Sequence, residues 1–183
     1  MTKEDFSSKL LTFIFTIVMF ISLLEFFMKK ETYYVIYVIF IYVIYMIFLY
    51  LEKKNIFKIK LYIKILIVIT IIIDVVGGFY FKLYETTGWF DNVMHGLGGF
   101  SVTIFFNYVL GVKKISSSRI LVFIFAWSVG IATGVFYELA EFALDIILKT
   151  KTQRGLVDTN LDLLFGTLGA MIGSVFIVYR KDI

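Results

Sequence analysis

Apolar residues run almost unbroken along this chain, and short clusters of charge cut them into six stretches. These cover about residues 10–28, 33–51, 61–81, 89–112, 120–148 and 158–179. Lys29, Lys30 and Glu31 end the first, and a polar segment over 52–60 separates the second from the third. Residues 82–88 read as a loop, 113–119 as a basic, serine-rich turn and 149–157 as another polar turn, while Arg180 and Lys181 stop the sixth stretch. A bilayer core about 30 Å thick needs roughly 20 helical residues at 1.5 Å each, so each stretch is long enough to cross. The fifth is long enough to tilt or project. β-Branched residues are abundant, but a membrane barrel alternates apolar and polar positions over segments of about ten residues. These runs are continuous and about twice that length, and lipid offers an open strand no hydrogen-bond partner. The pattern predicts an all-α integral membrane protein, a six-helix transmembrane bundle forming a single domain over 1–183.

Composition agrees. The chain is 60% hydrophobic and 17% charged, outside the range of soluble domains, so membrane lipids are its expected surroundings. The net charge of +4 sits in short clusters between apolar runs, a membrane pattern rather than a nucleic-acid one. There is no cysteine, which excludes disulfides and thiolate chemistry, and no proline to kink a helix by a missing donor. The first run is too long for a signal-peptide core and lacks a small-residue cleavage site, so it reads as retained. With the N-terminus inside, inner segments carry eleven basic residues and outer segments six. The positive-inside rule then puts both termini in the cytoplasm of a multi-pass cell-membrane protein, and the basic turn at 149–154 is the dissenting piece.

In that orientation the ionisable residues share a depth. Asp91 and His95 open the fourth helix; Glu138, Glu141 and Asp145 lie in the outer half of the fifth; Asp158 and Asp162 open the sixth. Asp74 and Glu25 fall in the same leaflet, and the inner half has essentially no carboxylate. Asp91 and His95 are four apart, Glu138 and Glu141 three, Asp158 and Asp162 four, so each helix presents a stripe of ligand-type side chains on one face. Crowded carboxylates in a low dielectric need protons, basic partners or a cation, and the nearby basic candidates are His95, Lys82 and Arg154. Asp91, His95, Glu138, Glu141, Asp158 and Asp162 are therefore the candidate ligands of a divalent metal, with Mg²⁺, Mn²⁺ or Ca²⁺ suited to the oxygens and Zn²⁺ or Fe²⁺ to a site including His95. The structural alternative is hydrogen-bonding glue between helices, which suits Glu25 and Asp74 best, while Asp145 reaches towards the interface. Trp89 and Trp127 read as interfacial anchors, and the tyrosines of the second helix as lipid-facing packing. Gly96, Gly98, Gly99, Gly130, Gly134, Gly166, Gly169 and Gly173 read as sites of close helix approach.

Three segments carry a resemblance. They are Phe90-Asp91-Asn92-Val93-Met94-His95-Gly96 followed by Gly99-Phe100; Phe136-Tyr137-Glu138-Leu139-Ala140-Glu141-Phe142; and Asp158-Thr159-Asn160-Leu161-Asp162 followed by Gly169-Ala170. Over about 84–175 the chain resembles the YjdF-like family of uncharacterised bacterial and archaeal inner-membrane proteins, and more distantly VanZ-like membrane proteins linked to glycopeptide resistance. It departs from the family at Phe105-Phe106-Asn107, where Arg-Glu is common, and at Val157, where an aromatic residue is common. VanZ-like proteins usually have Asn where this chain has Gly166. The resemblance supports the site without naming a reaction.

Three function classes fit. The first is a metal-dependent enzyme acting on a lipid or lipid-linked phosphate, with His95, Glu138 and Glu141 as its acid–base residues. The second is a proton- or cation-coupled transporter, which needs polar groups across the inner half as well; only Gly77-Gly78 and Gly98-Gly99 hint at broken helices. The third is a non-catalytic membrane subunit or stress-resistance factor. The orientation is directly testable. Cysteines placed at Thr86 and Gln153 should react with an impermeant thiol reagent in intact cells, and reaction only at a Ser117→Cys position inverts the topology.

Overall fold

The computed structural model describes residues 3–111 and 118–180, and every regular element among them is helical. The basic turn expected over 113–119, apart from Ser118 and Arg119, and Lys181 lie outside the described residues. The helices are α1 (Lys3–Met28), α2 (Thr32–Lys53), α3 (Leu61–Ile72), which continues as a π-helical segment (Ile73–Tyr80), α4 (Leu83–Thr86), α5 (Phe90–Leu110), α6 (Arg119–Leu148) and α7 (Leu156–Tyr179). Six spans are long and apolar enough to cross a membrane. The first begins well before the apolar run, at Lys3, because Glu4 and Asp5 favour the first turn of a helix. The expected loop at 82–88 contains the single turn α4. The chain divides into two compact units, Met1–Thr87 and Gly88–Ile183.

In the first unit Tyr42 and Tyr45 of α2 turn inwards, contrary to the lipid-facing expectation, while Tyr50 stays exposed. Tyr45 is buried with Phe15, Met19, Phe26, Val38, Val68 and Val75. Its hydroxyl is 2.9 Å from Thr12 Oγ1, and that of Tyr42 is 3.2 Å from Thr16 Oγ1. A phenol carries a large apolar ring and a polar tip, and α1 supplies hydroxyls at the right level to receive the tips. The lipid-exposed face of α2 is instead Ile36, Ile39, Phe40, Val43, Ile44 and Ile47. Asp74 lies in the π-helical segment, which departs from α geometry without any proline, over the stretch containing Gly77 and Gly78. Tyr37 and Tyr84 each donate to one oxygen of Asp74, both at 2.6 Å. A methyl at Gly78 would strike the ring of Tyr84, so glycine is what lets α4 fold back over the segment. Glu25 is paired with Lys29 one turn on, at 2.9 Å, and buried Lys64 is held by Glu52 at 2.7 Å and Ser8 at 3.0 Å.

The second unit is a three-helix bundle of α5, α6 and α7. Contacts fix its directions: His95 of α5 meets Gly166 of α7, Gly96 and Phe100 meet Gly169, and Phe100 and Thr103 meet Gly173, so α5 and α7 run the same way. Gly130 of α6 meets Thr103, and Glu138 meets His95, so α6 returns antiparallel. A Cβ at Gly99 would enter the carbonyl of Gly166, and one at Gly169 would enter the carbonyl of Gly96. Backbone therefore lies directly on backbone, the contact that small residues permit between membrane helices. Among the described residues, Gly98 and Gly134, expected to pack in the same way, have no atom within 4 Å of an added methyl. Trp127 is not an interfacial anchor: its indole N–H donates to the Thr167 carbonyl at 3.1 Å, tying α6 to α7. Below the glycine contact, Ser101, Thr103, Asn107 and Ser174 are buried, so uncharged polar groups continue along the bundle beyond the depth of the carboxylates.

Gly169→Leu should destabilise the folded protein by about 1–3 kcal/mol or abolish folding, because the added side chain overlaps backbone that cannot yield. Gly98→Ala should leave stability within about 1 kcal/mol of the parent or raise it, since only helix propensity changes. Unfolding in a mild detergent, followed by circular dichroism, checks both.

Candidate metal centre

Parallel α5 and α7 bring both of their N-termini to one end of the bundle. Asp91 sits in the first turn of α5 and Asp158 in the first turn of α7. The positive ends of two helix dipoles favour acidic groups there. The antiparallel return of α6 brings Glu138 and Glu141, one turn apart, to the same end.

His95 is the hub. Its Nε2 lies 3.6 Å from Asp91 Oδ1 and 3.7 Å from Asp162 Oδ1, and its Nδ1 lies 3.6 Å from Glu138 Oε1. Two donor groups share it: Asp91, His95 and Asp162; and His95, Glu138 and Glu141. Within each group the ligand atoms all lie within 4.8 Å of one another, and each group can hold a metal ion. Neighbouring donors in a tetrahedral shell with bonds of 2.0–2.1 Å are about 3.3–3.4 Å apart, so the 3.6–3.7 Å separations from His95 need only small side-chain adjustment. The ring edge of His95 also meets Tyr137 at 5.5 Å between centroids.

Burial makes these oxygens distinctive. Glu138 is 5% exposed and Asp162 3%. Among the described residues, Glu138 Oε1 and Asp162 Oδ1 have no hydrogen-bond partner, and they are the oxygens that face His95. A buried unpaired polar atom costs about 1–3 kcal/mol, more if charged, so a built arrangement that leaves two of them facing one imidazole is suited to a cation or to protons.

Of the six candidate ligands, five belong to the two donor groups. Asp158 stands one turn before Asp162 and outside both; from the first turn of α7 its Oδ2 reaches back to accept the N–H of Arg154, the residue before the Gly155 N-cap, at 2.9 Å. Asp145, on the same stripe as Glu141, organises the following loop instead. It accepts from Thr150 Oγ1 at 2.6 Å, Thr152 N and Oγ1 at 2.8 Å, and Gln153 N at 3.0 Å. That loop carries the site residues that helical spacing misses. Gln153 Nε2 donates to the carbonyl of Glu138 at 3.0 Å and to its Oε2 at 3.2 Å, and Arg154 Nη2 lies 3.7 Å from Asp91 Oδ2. A loop residue has no periodicity to announce it; Arg154 was noticeable only as one of the basic groups near the crowded carboxylates and as part of a basic turn on the side the positive-inside count disfavours, and Gln153 carried no signal. Glu25 and Asp74 belong to the first unit, each with the partners given above.

A model of the family described as "Predicted membrane protein (DUF2238)" matches residues 10–182. A protein of Thermotoga maritima, described as an uncharacterized protein, is 35% identical over 120 residues, which make up 64% of this chain. The matched region spans about 62% of that relative's length. No solved structure matches. Six apolar helices and a family match over nearly the whole length have one conclusion: this is a multi-pass membrane protein, and it belongs to the YjdF-like family DUF2238.

Proposed function

We propose that this end of the second unit is a divalent-cation centre supporting hydrolysis of a lipid or lipid-linked substrate, with both termini of the chain in the cytoplasm and the centre in the outer leaflet. The observation that carries the reading is the pair of buried, unpartnered oxygens, Glu138 Oε1 and Asp162 Oδ1, aimed at an imidazole that already faces Asp91. Asp91, Asp162 and His95 Nε2 form the first ligand set. Glu138, facing the other ring nitrogen, then orients the imidazole, as carboxylates do behind metal-bound histidines. Glu141 is left to take a proton from water as the water oxygen bonds to the scissile phosphorus or acyl carbon, and to return that proton to the leaving oxygen as its bond to the same centre breaks. A divalent ion held by Asp91, His95 and Asp162 would supply polarisation of the substrate oxygen or of the attacking water.

A cation or proton transporter is the second reading. It is favoured by Thr103 Oγ1 and Asn107 Oδ1, both fully buried and, among the described residues, without hydrogen-bond partners, two and three turns beyond His95 on α5. Cation-driven flux into liposomes, absent from an Asn107→Leu variant, would move the weight to transport.

Cation binding should stabilise the native fold by mass action, by about 2.7 kcal/mol at a hundredfold excess over Kd. The melting temperature in detergent should therefore rise with Mn²⁺ or Zn²⁺ concentration. Asp162→Asn should abolish the rise, because the amide keeps the shape and loses a charged ligand, and Glu138→Gln, behind the imidazole, should move it to cation concentrations about 10–100-fold higher. If the carboxyls are protonated packing groups, the same amides are close to neutral in stability and the cations do nothing. That outcome, together with elemental analysis showing no metal in the purified protein, sinks the proposal.

A further inference from the structure

We infer that Arg154 is the anion-recognising residue of this centre and that its ligand is a phosphoryl group held jointly by the guanidinium and the metal. The inference rests on the metal-centre reading and names the substrate chemistry it would serve.

Asp91 supplies the geometry. Its Oδ1 faces His95 Nε2 at 3.6 Å and its Oδ2 faces Arg154 Nη2 at 3.7 Å. One carboxylate therefore touches the donor set with one oxygen and the guanidinium with the other, and any ion on that set is a carboxylate's width from Arg154. The 3.7 Å separation is beyond hydrogen-bonding distance, so this pairing leaves the N–H donors of Arg154 available to a ligand. The side chain is 44% exposed, whereas Asp91, His95 and Asp162 beneath it are 16%, 10% and 3% exposed.

The backbone that delivers Arg154 is fixed independently of that ion pair. Asp145 collects four hydrogen bonds from residues 150–153, Gln153 is fastened to Glu138, and the Arg154 N–H is fastened to Asp158. Gly155 follows at φ 122°, ψ 178°, a conformation essentially reserved for glycine. So much anchoring for one half-exposed cation has a purpose in recognition. A neutral ester offers a guanidinium only uncharged acceptors, weaker partners than an anion's oxygens. A phosphoryl group offers several oxygens, enough to meet an ion and a planar donor fork at once, and Arg matches that geometry better than Lys. An anion could not approach five acidic side chains without both cations. Leu156 and Val157, directly after the segment, are exposed and apolar, an edge suited to the chains of a phosphorylated lipid. The same chemistry also admits free phosphate.

The test uses the full-length protein in a phosphorus-free detergent, in molar excess over Mn²⁺. Electron paramagnetic resonance reports Mn²⁺ binding, and ³¹P line broadening by bound Mn²⁺ reports phosphoryl groups beside it. Inorganic phosphate and detergent-solubilised phosphatidic acid are the two probes. The parent protein should broaden one or both saturably. R154Q should bind Mn²⁺ at least as well but weaken the apparent phosphoryl affinity about tenfold, the loss expected for a charge-assisted hydrogen bond, with R154K between them. A response to phosphatidic acid alone assigns a lipid headgroup, to phosphate alone the free anion, and to both the phosphoryl group itself. Saturable broadening unchanged in R154Q, or none in the Mn²⁺-loaded parent, overturns the inference. Failure of Mn²⁺ to bind at all, seen in the resonance signal alone, removes the metal centre and this inference with it.

Discussion

A methyl group on Gly169 would share space with the carbonyl oxygen of Gly96, and the geometry of the second unit follows from that exclusion. Membrane helices gain little from hiding apolar surface from lipid, so close packing and polar contacts hold them together. Here glycine lets α5 and α7 meet backbone to backbone and in the same direction. Two helices running the same way begin at the same end, which sets Asp91 and His95 beside Asp162. The helix between them must return the other way, and that return carries Glu138 and Glu141 to the same level. The donor cluster is thus a consequence of which backbones can touch.

The acids of this chain divide by what surrounds them. Asp74 has two phenols, Asp145 four donors from one loop, Asp158 a backbone N–H, and Glu25 a lysine one turn away. Each of those is satisfied by neighbours of its own and acts as a fastening. Glu138 and Asp162 each keep a buried oxygen without such a neighbour. Residue type alone does not make this distinction; only the positions of the surrounding donors do.

The sequence showed its helices because lipid enforces long apolar runs and because charge clusters are costly inside them. It showed the Asp91, His95, Glu138, Glu141 and Asp162 stripes because helical spacing of three and four survives in any helix. It did not show where Asp158 and Asp145 would spend their oxygens, since both are answered by the loop between α6 and α7, and loop contacts have no period. Nor did it show that Tyr42 and Tyr45 of α2 face inwards: an aromatic residue suits lipid and core alike, and the hydroxyls of Thr12 and Thr16 decided between them. The π-helical segment around Gly77 and Gly78 was visible only as a pair of glycines. Gly98 and Gly169 look equivalent in the sequence; one meets nothing and the other meets a carbonyl.

Backbone contact also makes the bundle a gauge. Where side chains separate two helices, a change of rotamer can let them drift by a few tenths of an ångström. At the crossing of Gly96, Gly99, Gly166 and Gly169 there is no side chain to rearrange. The distance from His95 on one helix to Asp162 on the other is inherited from that rigid spacing. Any ion held beside this crossing would meet a donor spacing that only the rotamers of Asp91, His95 and Asp162 can adjust, because the backbones beneath them have no slack to give.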